Sequence, residues 1–236
     1  MTPSRNAPVA PAPSQPISLP RLPPVTARRL LENPGELVAR GTQLVLGQSW
    51  RPEPEPDHRP GHVWLSAAHD RLLVMAELPD LCIRTSATAD HQHLWELGDV
   101  FEILIQPLPG SGYFEFQIAP NECLLQLRYP RSGLPLNLGI EQYVWREPCV
   151  DHAVARDAAD SLWRVAAVIP VRPLLDWSEG STGSLWRAAF CRYDYADAER
   201  FVLSSTAPLG APSFHRLDEW HTLDVPGGFP AGTAAR

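Results

Sequence analysis

The chain has 236 residues and a formal net charge of −7. That length suffices for one sizeable core and leaves little room for a second domain once tails are removed. The acidic balance and scattered arginines argue against nucleic acid as a partner, which asks for clustered Lys and Arg, and no apolar run reaches the ~20 residues that span a bilayer.

Residues 1–27 are dominated by Pro and Ala, as in Pro8-Val9-Ala10-Pro11-Ala12-Pro13. Such a segment buries too little apolar surface to offset its ordering, so a disordered or polyproline-like arm is expected. Met1 to Pro20 also lack the apolar h-region of a secretory signal, so the expected location is the cytoplasm. Ala27 to Leu31 reads as a brief helical turn, stopped by Asn33-Pro34-Gly35. Leu44-Val45-Leu46 is a short strand, and Arg51-Pro52-Glu53-Pro54-Glu55-Pro56 a proline-rich loop.

Short alternating runs then follow one another with turn signals between them. His62 to Ala67 and Arg71 to Leu78 form one hairpin, and Val100 to Gln106 and Tyr113 to Ala119 another. Cys123 to Tyr129, Tyr143 to Arg146, Val150 to Arg156, Leu162 to Ile169, Trp186 to Tyr193 and Glu219 to Leu223 complete the strands, and Val171 to Asp176 is a helical turn. This spacing predicts an all-β fold, an antiparallel β-sandwich of jelly-roll type, over residues 28–226. Residues 227–236 read as a flexible Gly/Pro/Ala tail.

The strand Val100 to Ile105 carries a carboxylate in an apolar setting. Alternation puts Val100, Glu102 and Leu104 on one face and Phe101, Ile103 and Ile105 on the other. Both faces are mostly apolar, so Glu102 needs a hydrogen-bonding partner. Trp95 lies just upstream on a polar, turn-like stretch. A flat aromatic beside a needy carboxylate suits a sugar: the ring covers a C–H face and the carboxylate accepts hydroxyl protons. In the next strand, Phe114, Phe116 and Ile118 point to the core, while Tyr113, Glu115 and Gln117 share the opposite surface. Arg192 stands inside the apolar run Phe190-Cys191-Arg192-Tyr193-Asp194. It calls for a carboxylate, with Asp194 on its own face and Glu102 or Asp99 across the sheet as partners, or else for a ligand.

Cys82, Cys123, Cys149 and Cys191 are widely spaced and read as free thiols. Two carboxylates flanking a sugar bond would make a hydrolase. Asp99 and Glu102 cannot be that pair from one straight strand, whereas Glu102 and Glu115 on neighbouring strands could converge. No nucleophile elbow, phosphate loop or HExxH is present, so catalysis is the lesser alternative.

Five segments, in order, resemble the family 9 carbohydrate-binding modules and their DOMON-like relatives. They are Trp95 to Ile105, Gly112 to Asn121, Leu162 to Pro170, Trp186 to Asp194, and Ser204-Ser205 with Ser213-Phe214-His215, and they cover roughly residues 60 to 224. The resemblance implies a non-catalytic module that recognises a sugar unit of a poly- or oligosaccharide. It makes Trp95 one wall of an aromatic clamp and places the other at Phe214, with His215 beside it. Gln117 falls where the better-known modules carry a sugar-contacting arginine, so it keeps the hydrogen bond and loses the charge. The implied carbohydrate-binding set is therefore Trp95, Glu102, Gln117, Arg192, Phe214 and His215. The family also carries structural calcium, for which Asp70, Asp80, Asp90 and Asp194 are candidates, and some relatives bind haem, for which Met75 reads as core filler instead. The runner-up reading is an adaptor whose sugar site is vestigial and whose proline-rich arm docks a protein partner.

Overall fold

The structure, a computed structural model, describes residues 15–134, 139–157, 159, 161–178, 180–181 and 183–229. Most of the expected proline-rich arm and the end of the tail lie outside the described residues. In chain order the strands are β1 (Ile17–Ser18), β2 (Thr42–Val45), β3 (His62–Ala68), β4 (Arg71–Pro79), β5 (Val100–Pro107), β6 (Tyr113–Ile118), β7 (Leu124–Tyr129), β8 (Asp151–Asp157), β9 (Leu162–Pro170), β10 (Leu185–Tyr195), β11 (Phe201–Ser205) and β12 (His221–Asp224). Three short helices, α1 (Ala27–Glu32), α2 (Gly35–Arg40) and α3 (Val171–Trp177), accompany them.

The strands form two sheets, a β-sandwich as expected. The larger runs β1-β12-β10-β5-β6-β7, with β11 continuing the β12 side of β10, and the smaller runs β2-β3-β4-β9-β8. Pairing is antiparallel throughout except between β1 and β12. Strand alternation decides what lies between the sheets. Phe101, Ile103, Ile105, Phe114, Phe116 and Phe190 from the large sheet meet Leu65, Val74, Trp163 and Val165 from the small one in a single apolar cluster.

Both outer faces are covered as well. On the small sheet, Trp64, Leu73, Met75 and Val168 pack under Ala27 and Leu30 of α1, so Met75 is core filler. The helix starts at Thr26, whose hydroxyl accepts from Arg29 N, a cap that satisfies one of the otherwise orphaned amides. On the large sheet, Val100, Leu104, Leu125, Leu127 and Tyr129 form a second apolar layer with Leu94, Phe214 and Trp220 from the loops above. A cavity opens on this outer face.

The described parts of both terminal segments pack against the sandwich. Ile17–Ser18 pairs with Leu223–Asp224, Leu19 is buried in the main core, and Phe229 packs edge-on against Trp186. Prolines raise the polarity count around these positions, but single apolar residues between them suffice to dock the backbone. Residues 143–146 do not form the expected strand: Glu141–Tyr143 is a 3₁₀ turn, followed by an isolated bridge from Val144 to Leu127. All four cysteines are free, with Cys191 buried and Cys82 exposed.

Candidate functional site

The register of the large sheet arranges the floor of a pocket. Glu102 on β5 faces Gln117 on β6 and Cys191 on β10, and one step along, Leu104 faces Glu115. Glu102, Glu115 and Gln117 therefore share the outer face, as alternation requires. The same periodicity puts Tyr113 and Tyr129 on this face, where they are paired and their rings stack at 4.5 Å.

Loops supply the walls. Trp95 sits on a 3₁₀ turn, Leu94–Glu96, anchored by the buried Leu94. The Tyr195 hydroxyl donates to the Trp95 carbonyl, and His93 stacks on the indole at 4.8 Å with 12° between planes. The turn closes at Gly98, whose φ of +141° few side chains tolerate. Opposite, Phe214 is held by its carbonyl, which accepts from the indole N–H of Trp220, and by an edge contact to Tyr193 at 5.5 Å. Beside it, His215 Nδ1 lies 3.0 Å from the Tyr113 hydroxyl.

These groups enclose a cavity of about 350 Å³ lined by Trp95, Glu102, Glu115, Gln117, Phe214 and His215, with Tyr129, Tyr193 and Ser213 among the remaining lining. That volume lies at the small end of ligand sites, room for one or two rings. Five of the six residues expected from sequence thus border one space. Tyr129 and Tyr193 were missed; the signal for Tyr193 was present, because it shares a face with Cys191, the partner of Glu102.

Hydrogen bonding divides the two glutamates. Glu115 is engaged: it accepts from the Gln117 amide and from the Tyr129 hydroxyl, and His215 Nε2 approaches it at 3.8 Å. Glu102 is only 3 % exposed, and among the described residues nothing hydrogen-bonds it. Burial, and then the negative Glu115, push its carboxyl well above the usual carboxylate range. Gln117 spends its N–H on Glu115, which leaves its Oε1 buried without a partner.

Arg192 is the exception among the expected residues. It pairs with Phe101, not with Glu102, so its side chain enters the sandwich interior. There its guanidinium donates to the Pro79 carbonyl at 2.8 Å and to Asp80 at 3.0 Å, and lies 3.2 Å from Asp194. Of the three expected partners, Asp194 is the one engaged, and the one-residue phase of β10 turns the side chain away from the pocket.

The same corner gathers Asp80, Asp99 and Asp194, with carboxylate oxygens within 4.8 Å of one another. Asp80 and Asp194 are two of the four expected calcium candidates. Asp70 instead meets His69 and Arg71, and Asp90 accepts from Leu124 N. The oxygens of the triad are largely spoken for: Asp99 accepts from the amides of Arg84 and Tyr195, and Asp80 from Cys82 N and Arg192. Calcium takes 6–8 oxygen ligands, and here a guanidinium already pairs with two of the three carboxylates. The residues fit an arginine-neutralised cluster and do not fit a calcium site. Burial, and then Asp80, push the Asp99 carboxyl up to about 7; burial likewise pushes Asp194 up to about 6 against the opposing pull of Arg192.

No family model and no curated protein sequence matches the chain. Solved structures do match in fold. A candidate carbohydrate-binding protein from Bacteroides uniformis superposes with a TM-score of 0.64 at 16% identity, covering 89% of this chain and 99% of that one. A family 9 carbohydrate-binding module from Caldicellulosiruptor kristjanssonii, solved with cellotriose and with glucose, gives 0.55 at 10% identity, covering 94% of this chain and 98% of its own. At such identities the likeness is one of fold, and it spans the whole sandwich.

Proposed function

We propose that this chain is a non-catalytic carbohydrate-binding domain of the family 9 type, holding a sugar unit in the pocket between Trp95 and Phe214. One observation carries the reading: two aromatic walls on separate loops stand over a floor of buried acceptors, Glu102 and Gln117, in a single cavity. Aromatic faces suit the C–H surface of a pyranose, and unpartnered acceptors suit its hydroxyls. The fold neighbours that hold glucose and cellotriose support the same reading. Arg192 has no part in it.

Calorimetric titration with glucose, cellobiose and a glycan panel tests this. Binding of at least one sugar is expected, weakened at least about tenfold in Trp95→Ala through lost stacking, with the melting transition of the variant kept. Binding unaffected by Trp95→Ala would remove the pocket from consideration, and silence across the whole panel would favour the adaptor reading. A hydrolase would use Glu102 and Glu115 as its pair. Glu115 is committed to Gln117 and Tyr129, so no sugar release over time is expected.

A further inference from the structure

The pocket floor is made of acceptors without a cation to balance them. Two buried glutamates, Glu102 and Glu115, line it, and Gln117 between them has a buried carbonyl oxygen without a partner. All 20 Lys and Arg positions of the chain are arginine, and among the described residues none of them lines the pocket. Of the three arginines next in sequence to lining residues, Arg192 is spent on Asp80 and Asp194 on the other side of the sheet, Arg216 on Glu219, and Arg128 lies over the Trp145 and Trp177 rings. His215, at 3.8 Å from Glu115, reaches only the glutamate that is already bonded.

A neutral sugar hydroxyl can give Glu102 one proton. It leaves the excess of acceptors in place and does nothing to stabilise the ionised form of Glu102, which burial and Glu115 disfavour. A protonated amine answers both needs, bringing three N–H donors and one positive charge. An inorganic cation is poorly served, because two carboxylates and one amide oxygen fall short of a coordination shell, and the remaining walls are aromatic. Those walls favour an organic ammonium instead, since Trp, Tyr and Phe faces attract cations.

Resting on the carbohydrate reading above, we infer that the pocket selects an amino sugar carrying a free, protonated amine, such as a glucosamine unit, with the ammonium seated against Glu102 and the Gln117 carbonyl and the ring held between Trp95 and Phe214. The N-acetylated sugar lacks the charge and offers one amide N–H in place of three.

The test is calorimetric titration of the full chain with glucosamine, N-acetylglucosamine and glucose, and with a chitosan trimer, at near-neutral pH. Glucosamine is expected to bind on the order of ten- to a hundredfold tighter than glucose, the range of a hydrogen bond to a charged group. Glu102→Gln, which keeps the side chain's shape, is expected to erase that preference, glucosamine losing more affinity than glucose. Glu115→Gln, read alongside it, is expected to reduce the preference in part. Equal affinity for glucosamine and glucose, or a preference that survives Glu102→Gln, overturns this inference and leaves sugar binding standing. Failure of every sugar to bind overturns both.

Discussion

Replacing Arg192 with Met should unfold the protein more easily without touching the pocket. The arginine side chain is 1% exposed, and its partners Asp80 and Asp194 are 1% and 9% exposed. Removing one member of a buried, hydrogen-bonded ion cluster costs about 3–5 kcal/mol, because charges stay behind without compensation. For a domain of this size about 2–4 °C of melting temperature follows each kcal/mol, so a drop of roughly 6–20 °C is expected. The loss should also depend on pH. Asp99 and Asp194 titrate near 7 and 6 in the fold, above their unfolded values near 3.8. The folded state therefore holds extra protons between about pH 4 and 7, and wild-type stability declines as pH rises through that window. Without the guanidinium both carboxyls rise further, so the variant loses more at about pH 8 than at about pH 5. Urea unfolding at the two pH values measures this directly, and sugar titration at low temperature reports the pocket. A loss under about 1 kcal/mol, or one equal at both pH values, refutes the cluster argument; lost sugar binding in a folded variant refutes the placement of Arg192.

Glu102→Gln should stabilise the protein at alkaline pH and leave it unchanged near the acid end. The buried carboxyl is raised well above its ordinary value, so in wild type stability falls as Glu102 ionises with rising pH; thermal melts across pH decide it. Gln117→Arg supplies the cation that the floor lacks, and should shift affinity from glucosamine towards glucose in the same calorimetric series. Gly98→Ala should cost more than about 1 kcal/mol, because a Cβ there would lie 2.5 Å from the Arg84 carbonyl oxygen, and it should weaken sugar binding by displacing the Trp95 turn. Phe229→Ala should cost about 3 kcal/mol if the C-terminal segment docks through its contact with Trp186; an unchanged urea midpoint contradicts that docking.

Period-2 patterning made the sandwich legible, because inward and outward residues alternate without interruption in β5 and β6. It also made Glu102 and Gln117 legible as neighbours on one face. Two things escaped it. The short pairing of Ile17–Ser18 with β12 is carried by backbone hydrogen bonds between distant segments, and a two-residue strand leaves no periodic trace. The side of the sheet on which Arg192 falls depends on cross-strand register, which the sequence of β10 does not state by itself: both of its faces are apolar enough to be the inner one. Once Cys191 is known to face Glu102, the assignments of Arg192 and Tyr193 follow together.

That single register explains how one sheet carries two acidic clusters with opposite chemistry. On the inner side Asp80, Asp99 and Asp194 have an arginine among them whose two terminal nitrogens are both engaged, so the cluster locks the strand ends. On the outer side Glu102 and Glu115 have no cation, and acceptors remain over. A slip of β10 by one residue would exchange Cys191 for Arg192 opposite Glu102, neutralising the pocket floor and stranding the inner aspartates. The apolar layers on both sides forbid the slip, since Phe190 would leave the core for the pocket face. The packing that fixes the fold is therefore also what keeps the pocket acidic and short of donors, and a ligand rich in donors is what such a floor can hold.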